Sequence, residues 1–213
     1  SGAYLIPPRQ VDLAPSVNDG WELGVKYQTS AQTQWRTTVW QQTATGEFKR
    51  KLNDPLGDFD NLGATRRKGV DVQFSVAPMS ALHVWAAIAW QQAQIETPDP
   101  ATPALAGNDI DHIPQWIHSA GVDYSVSDQW IVSASLRAQS SYELTTTNDH
   151  GRFGKYLLVD AQARYIINPQ IEASLQLQNL TDDAYEYVWW DGSQTLHSPG
   201  EGRSITAAIH VSY

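Results

Sequence analysis

The sequence predicts an all-β fold, an antiparallel transmembrane β-barrel of the outer-membrane type. Apolar and polar residues alternate with a period of two in nearly every segment between turn signals, which is typical of strands with one apolar face. Strands of soluble proteins average about five or six residues, whereas a tilted strand needs about nine to eleven to cross a bilayer, and most of these segments are that long. Short turns and long polar segments also alternate along the chain, as they do in outer-membrane barrels.

Nine candidate strands follow from this alternation. In chain order, WELGVKYQ supports a strand at about 21–31, a weaker run supports 34–46, GVDVQFSV supports 66–77, and a second weaker run supports 81–96. GVDYSV then supports 113–126, WIVSASLRA 129–144, LLVDAQARY 155–167, IEASLQLQ 170–189 and SITAAIHVSY 202–213. The clearest is IEASLQLQ, in which Ile171, Ala173, Leu175 and Leu177 share one face and every residue between them is polar.

Composition excludes several other classes of protein. The mean hydropathy is -0.40, and no apolar run approaches the roughly 18 residues of a membrane-spanning helix. A net charge of -9 is the opposite of the basic footprint of a nucleic-acid binder, so we expect no nucleic-acid partner. The chain has no cysteine, so it has neither a disulfide framework nor a cysteine-based metal site. Nine Trp and nine Tyr are many for 213 residues, and aromatic girdles at the two membrane interfaces would explain them.

The connections predict which end of the barrel faces outward. Long polar loops are expected at about 47–65, 97–112, 145–154 and 190–201, and these should be extracellular. One girdle is predicted near the short turns and the other near the long loops. The first comprises Tyr27, Tyr124, Trp130, Tyr165 and Tyr213, and the second Trp90, Trp116, Tyr142 and Trp189.

Charged residues within the strands are predicted to face the lumen. They include Asp71, Asp123, Arg137, Asp160, Arg164 and Glu172. Opposite charges on adjacent strands can pair across the ladder, and we expect structural pairing here rather than ligand contact. A soluble β-sandwich, in which the same charges form an ordinary solvated face, is the alternative fold. Long strands and small residues on the apolar face favour the barrel.

The order of segments resembles the C-terminal half of TonB-dependent receptors. WELGVKYQ resembles the family's E-L-G-x-K strand, and RRKGVDVQFSVAP its R-x-x-G-hydrophobic-D/E strand. LQNLTDDAY is similar to the N-L-[TF]-D-x-x-Y element, and GRSITAAIHVSY to the terminal G-R strand, although the last residue is Tyr213 where the family usually has Phe or Trp. The match covers essentially the whole chain, and four motifs in the right order make it fairly specific.

The resemblance implies a 22-stranded barrel around an N-terminal plug domain, of which residues 1–213 would be the C-terminal portion. Nine antiparallel strands cannot close on themselves, since the first and last run in the same direction, so a fragment without the plug and the first strands is expected. The intact protein would lie in the outer membrane of a Gram-negative bacterium, in contact with lipid and lipopolysaccharide. It would import a small-molecule ligand with energy from the TonB–ExbB–ExbD system, which would act through the plug. A ferric siderophore is expected because it is the family's commonest cargo, and no resident cofactor is expected.

Recognition is expected on the loops that the barrel holds rigidly. The candidate contacts near the loop 190–201 are Tyr187, Trp190 and His197, whose rings suit siderophores or flat cofactors, while Trp189 could equally belong to a girdle. The only basic concentration comprises Lys49, Arg50, Lys51, Arg66 and Arg67, which could attract an anionic ferric complex or lipopolysaccharide phosphates. The loop 97–112 carries Asp99, Asp109, Asp111 and His112, which could ligate a metal but more often form a solvated loop.

Two other functions share part of this pattern. A passive porin-like channel would have the same girdles and alternation but no plug, and the four motifs argue against it. An outer-membrane protease or phospholipase would need a nucleophile or acid–base group beside a histidine. The six histidines are scattered along the sequence, and none lies in a recognisable catalytic setting, so we predict that the chain is not an enzyme.

Overall fold

The computed structural model describes residues 15–30, 33–50 and 59–212, and in this part of the chain the fold is almost entirely antiparallel β-structure. The long strands are β1 (Val17–Ser30), β2 (Thr33–Arg50), β3 (Phe59–Met79), β4 (Leu82–Thr97), β5 (Trp116–Ser125), β6 (Trp130–Gln139), β9 (Tyr156–Asn168), β10 (Ile171–Gln178) and β13 (Ser204–Val211). The short strands are β7 (Tyr142–Glu143), β8 (Arg152–Phe153), β11 (Glu186–Trp190) and β12 (Thr195–Pro199). One short 3-10 helix, Pro103–Leu105, precedes β5. No helix among the described residues is long and apolar enough to cross a bilayer.

A single nine-stranded sheet contains all the long strands in the order β1-β2-β3-β4-β5-β6-β9-β10-β13. Every neighbouring pair is antiparallel, so the chain forms a meander with β1 and β13 at its two edges. This confirms the predicted antiparallel architecture and the number of strands. The short strands form two separate hairpins, β7–β8 and β11–β12, at the end of the sheet opposite the short turns.

Cross-strand register divides the sheet into one apolar and one polar face. Directly paired residues share a face, and apolar positions match along whole rows, for example Tyr27 with Trp35 and Trp35 with Phe74. The apolar face is not covered, since Leu23 is 70% exposed and Ile209 is 72% exposed. A contiguous apolar surface of this size needs a nonpolar environment, and about ten residues of tilted strand match the roughly 25 Å band of outer-membrane barrels.

Two glycines on the polar face accommodate tryptophan rings from adjacent strands. The Trp40 ring lies over Gly69, and the Trp85 ring lies over Gly121, where a Cβ atom would come within 2.5 to 2.6 Å of the indole. The Trp40 indole N–H also donates to Asp71 Oδ2 at 2.7 Å. Because each ring needs a glycine directly opposite, these pairs oppose a shift in strand register.

Several predicted boundaries differ from the structure. The predicted strand 170–189 ends at Gln178, because the turn that begins at Asn179 has positive φ at Asn179 (49°) and Asp182 (52°). Much of the predicted loop 190–201 belongs instead to the β11–β12 hairpin. The predicted loop 47–65 is shorter, since β2 continues to Arg50 and β3 begins at Phe59, and residues 51–58 lie outside the described part. In the loop 145–154, Arg152–Phe153 forms β8.

The aromatic girdles are partly as expected. Trp130 and Tyr165 pair at the short-turn end with ring centroids 4.7 Å apart, and Trp116 lies at the long-loop end of β5. Two residues predicted for the long-loop girdle lie outside the nine-stranded sheet: Tyr142 is buried among the loops and Trp189 belongs to β11. Tyr213 lies outside the described residues.

Candidate functional site

The segment between β4 and β5 forms the base of the loop layer. It packs on a small buried cluster formed by Leu62, Ala93, Ile95 and Ile110. Its backbone pairs with the end of β4, since Ile95 N–H donates to the Asn108 carbonyl (3.0 Å) and Ile110 N–H donates to the Ala93 carbonyl (2.9 Å). These contacts hold a long connection against the sheet, so that it can support the two hairpins above it.

Asn148 joins this segment to the loop that carries β7 and β8. Its side-chain oxygen accepts the Asp109 N–H at 2.7 Å, and its amide nitrogen donates to the Asp109 carbonyl at 2.9 Å. The Asn108 side chain adds a donor bond to the Thr146 carbonyl at 2.9 Å. Asn148 has φ of 56°, a left-handed conformation that asparagine tolerates better than most residues. The two loops therefore form one unit, although nearly forty residues of sequence separate them.

The β11–β12 hairpin is attached to this unit through Val188, which is 2% exposed. Val188 N–H donates a hydrogen bond to the Tyr142 phenol oxygen, and His112 Nε2 lies 3.2 Å from the Val188 carbonyl. The rings of Tyr142 and His112 also contact each other, with centroids 5.1 Å apart. Burial raises the pKa of the Tyr142 phenol, so this hydroxyl stays neutral over the physiological pH range.

Aromatic and imidazole rings cover the outer part of the hairpin. The His150 ring lies against Trp190 with centroids 4.2 Å apart, and Phe153 meets His197 edge-on at 5.8 Å. His197 Nδ1 is also 2.9 Å from Glu186 Oε2. These contacts link β11 and β12 to the β7–β8 loop by a second set of interactions.

A row of three tyrosines forms a separate set of ring contacts between the hairpin and β9. Tyr185 lies between Tyr156 and Tyr187, with ring centroids 5.6 and 6.0 Å away, respectively. Gly200 makes this possible, because a Cβ atom there would come within 2.2 Å of the Tyr185 ring. Tyr187 is 58% exposed, so much of its ring faces solvent.

Three of the predicted contacts therefore lie on one hairpin, with Trp190 and His197 on one face and Tyr187 on the other. The sequence prediction did not assign to the site the neighbouring rings of His112, Tyr142, His150, Phe153 and Tyr156. Positive φ at Gly151 (86°) and Gly154 (78°) marks the turn chemistry of this second hairpin. Two glycines that flank Arg152–Phe153 are the sequence signal that could have located β8 and its aromatic residue, Phe153.

The basic residues do not form one surface. Arg66 and Arg67 are consecutive residues of β3 and so point to opposite faces of the sheet. Arg67 makes two hydrogen bonds to Glu47, at 2.6 and 2.9 Å, and Arg66 forms an ion pair with Glu96. Lys49 and Arg50 end β2. Because both described guanidinium groups already have carboxylate partners, their attraction for an anionic ligand is reduced.

The six charged residues predicted for the lumen all lie on the polar face of the sheet. Arg137 pairs with Asp160 at 3.1 Å and Arg164 with Glu172 at 3.6 Å, in each case across adjacent strands. Asp71 accepts a hydrogen bond from the Trp40 indole, and Asp123 accepts one from Ser133 at 2.7 Å. Their contacts in the described chain are structural, and whether this face lines a lumen stays a prediction.

One group on the same face has the order of a serine nucleophile, a base and an acid. Ser75 Oγ lies 2.9 Å from His83 Nε2, and His83 Nδ1 lies 3.5 Å from Asp123 Oδ2. Nucleophilic serine chemistry also needs free N–H donors for the developing oxyanion. Ser75 belongs to β3, whose backbone is paired with β2 on one side and β4 on the other. The group is therefore better explained as a hydrogen-bonded row across the sheet.

The acidic loop residues do not form a metal centre either. Asp109 accepts a bond from Gln94, and Asp111 contacts His112 Nδ1 at 2.7 Å. Within the described ranges, no group of three or more His, Asp or Glu residues has the geometry to hold a metal ion. The site is thus defined by rings and hydrogen-bonding groups.

Comparisons with known proteins agree with this architecture. The family model described as "TonB dependent receptor-like, beta-barrel" matches residues 2–180. Among solved structures, the ferric-catecholate import receptor Fiu from E. coli K12 aligns with a TM-score of 0.76 and 21% identity, covering 94% of this chain and 28% of that one. The ferric yersiniabactin uptake receptor FyuA from Yersinia pestis aligns with a TM-score of 0.79 and 14% identity, covering 93% and 30%.

A third structure, the ferric citrate transporter FecA, aligns with a TM-score of 0.73 and 20% identity, covering 91% of this chain and 31% of that one. At these identities the likeness shows the fold alone. The chain spans about three tenths of the length of these receptors, between 28% and 31%. No curated protein sequence matches it significantly.

Proposed function

The chain belongs to the family of TonB-dependent receptor-like β-barrels, and we propose from this membership that it is part of an outer-membrane receptor for active import. The barrel wall is the nine-stranded sheet, whose exposed apolar face requires lipid. The observation that carries the proposal is the loop layer, in which two hairpins and the β4–β5 connection are joined into one unit at the same end of the sheet. A rigid, aromatic surface at that end suits capture of a dilute ligand.

The proposed ligand is a ferric siderophore or a similar metal complex. Tyr187 and His197 are exposed and Trp190 is half-buried, and these residues offer aromatic rings and a polar nitrogen that can contact the flat or conjugated groups of an organic chelator. The described residues provide no metal-binding cluster, so the metal would arrive with its coordination already supplied by the chelator. The solved receptors with the same fold include proteins described as importers of ferric catecholate, ferric citrate and ferric yersiniabactin.

The energy for release would come from the TonB–ExbB–ExbD system. TonB would act on the plug of the intact receptor, which is outside this chain. The alternative is a passive channel, in which the same loop layer would only narrow the entrance. TonB dependence separates the two, because passive diffusion needs no energy from the inner membrane.

Lipopolysaccharide is the proposed neighbour of the outer face above the apolar band. Lys68 lies on that face, two residues before Val70 and therefore closer to the long-loop end. It is paired in register with Gln41 and Gln92. In the described part of the chain, no carboxylate lies within salt-bridge distance of Lys68. An ammonium group at this height suits a lipid phosphate.

Growth of the source bacterium tests the transport proposal. The strain would carry the intact gene or lack it, with TonB present or absent, on media that each supply one iron complex, cobalamin or another cofactor as the sole source. Growth that requires both the gene and TonB on one source would identify the cargo. Uptake that continues without TonB would refute active import and favour the passive channel.

A pair of tryptophan variants then tests the site. Trp190→Ala should weaken binding of the identified cargo by about 5- to 150-fold, which corresponds to roughly 1 to 3 kcal/mol for a hot-spot aromatic residue. Trp130→Ala is the matched control, because this tryptophan lies at the short-turn end of the sheet, opposite the hairpin, whereas Trp189 shares a hairpin face with the candidate contact Tyr187. Equal effects of the two variants would show that general destabilisation, and not the loss of a binding surface, explains weaker binding.

A further inference from the structure

Lys26 and Arg36 are two like charges placed directly opposite each other on the polar face of the sheet. They are register partners in the β1–β2 pair, and both side chains are exposed. Directly opposed like charges destabilise a strand pair unless an opposite charge lies nearby. This pair therefore requires a source of negative charge.

Other cations on the polar face already have such a source. Arg137 pairs with Asp160, Arg164 with Glu172, and Arg67 with Glu47. Among the residues that the structure describes, neither Lys26 nor Arg36 has a carboxylate within 4 Å.

The neighbouring acidic residues of the sheet do not neutralise this pair. Glu22 is four residues from Lys26 on β1, about 13 Å at the usual rise of a strand. Asp71 is on β3, but its carboxylate accepts the Trp40 indole N–H at 2.7 Å and forms no ion pair with Arg36. The compensating charge must come from outside the described sheet.

Arg36 also determines the direction from which that charge arrives. Lys26 lies on the edge strand β1, where a further strand could be added, but β2 has β1 on one side and β3 on the other. The direct partners of Arg36 are Lys26 and Gln73, and neither is acidic. A carboxylate can therefore reach Arg36 only from the space in front of the polar face.

A cavity of about 350 Å³ occupies this part of the face, and its polar lining includes Lys26, Gln34, Arg36, Gln73 and Ser75. The cavity is far from the loop layer. Arg36 lies six residues, or about 20 Å along β2, from Gln42, which is in register with Arg67 and Ala93 at the base of the loop layer, and the hairpins lie beyond that base. A ligand held by the hairpins would not reach it, but a polypeptide that fills the barrel interior would.

We propose that Lys26 and Arg36 form a docking site for carboxylate side chains of a polypeptide segment that occupies the barrel interior, namely the plug of the same receptor. This inference rests on the proposed function, since it requires a closed barrel with a plug. The two cations would hold an acidic stretch of that segment at the short-turn end of the wall. The solved receptors are more than three times as long as the part that this chain matches, which leaves ample sequence for such a segment.

Zero-length cross-linking of the intact, purified receptor tests the proposal directly. A carbodiimide activates a carboxyl group and joins it to an amine in contact with it, so Lys26 should become linked to an Asp or Glu of the plug. Lys68 is the matched control, since it lies on the opposite face of the same sheet and should not link to the plug. Peptide mapping by mass spectrometry, with and without the transported ligand, reads out the links. Absence of a Lys26 link in the folded receptor would overturn the proposal.

Charge variants of the intact receptor provide the second measurement. The double variants Lys26→Gln with Arg36→Gln, and Lys26→Glu with Arg36→Glu, should favour plug displacement about 2- to 30-fold, as expected from losing two exposed ion pairs. Sensitivity of cells to a glycopeptide antibiotic too large for porins, together with single-channel conductance, measures displacement. Lys155→Gln, which removes a charge from an exposed residue between β8 and β9, should change neither quantity.

The outcomes separate this proposal from the transport function. Permeability and cross-linking do not depend on TonB, so both can support docking even if active import is refuted. Weaker ligand binding with unchanged permeability would assign the two cations to the ligand and overturn the proposal. If the charge-reversed receptor fails to assemble, the neutral double variant decides the question by the same two readouts.

Discussion

The Tyr142 hydroxyl makes one of the contacts that attach the β11–β12 hairpin, and its removal gives a quantitative test of the loop layer. In Tyr142→Phe the ring remains, so its contact with His112 is retained, but Val188 N–H loses its acceptor. Val188 is 2% exposed, and water cannot replace the lost partner while the hairpin stays in place. We therefore expect the hairpin to detach more often without a change in the barrel.

The magnitude follows from the cost of a buried, unpaired donor. Such a group costs about 1 to 3 kcal/mol, and this shifts the equilibrium for local opening by about 5- to 150-fold. The contact of His112 with the Val188 carbonyl remains in Tyr142→Phe. A shift in the upper part of this range would therefore mean that loss of the Tyr142 bond also weakens the His112 bond. The free energy of unfolding of the whole sheet should change little, because the hairpin lies outside it.

Hydrogen exchange of the intact receptor, followed by mass spectrometry, is the appropriate assay. Peptides that cover residues 186–199 should exchange faster in Tyr142→Phe, whereas peptides from β9 and β10 should not. Tyr187→Phe is the control, because it removes a hydroxyl from an exposed tyrosine of the same hairpin. Unchanged exchange at 186–199 in Tyr142→Phe would refute the idea that Val188 anchors the hairpin.

Three further predictions concern the sheet. Leu175→Arg should destabilise the folded barrel in lipid by about 2 to 4 kcal/mol, while Gln176→Arg on the opposite face should cost much less, as measured by the fraction folded in urea titrations. Asp160→Ala should lower the free energy of unfolding by about 1 to 3 kcal/mol, because the Asp160 carboxylate pairs with Arg137 and also accepts a hydrogen bond from the buried backbone N–H of Asn179. Arg137→Ala removes only the ion pair, so it should lower the free energy of unfolding by about 1 kcal/mol or less in the same titration. Gly121→Ala should cost about 1 to 3 kcal/mol by displacing a tryptophan ring, and a change in tryptophan fluorescence should accompany it; an unchanged spectrum and midpoint would contradict this packing.

The sheet could be predicted from the sequence because a single rule applies along its whole length. Each strand contacts a nonpolar environment on one side and a polar one on the other, so alternation alone assigns Leu175 and Gln176 to their faces. The same rule separates Arg66 from Arg67. As consecutive residues of β3 they cannot share a face, so their nearness in sequence, on which the predicted basic concentration depends, does not make them one surface.

The end of β10 shows a boundary that the predicted strand passes over. Alternation stops at Asn179, a polar residue at an apolar position, but the predicted strand extends to Trp189. The structure ends the strand at Gln178 because Asn179 replaces ladder contacts with local ones, accepting a bond from Asp183 N–H and donating one to the Asp183 carbonyl. A polar segment of Asn, Thr and Asp is the turn signal that competes with alternation in such cases.

The arrangement of the candidate site could not be predicted by a rule of this kind. Val188, Tyr142 and His112 come from three separate segments, and no periodicity relates a backbone carbonyl to an imidazole 76 residues away. The choice of partner depends on which loops meet above the sheet, and that depends on the Asn148 bonds between two of them. An exchange of loop residues could therefore alter ligand recognition while the alternation that defines the barrel stays the same. This separation explains why the fold and family follow from strand patterns, whereas the cargo must be determined by binding and growth experiments.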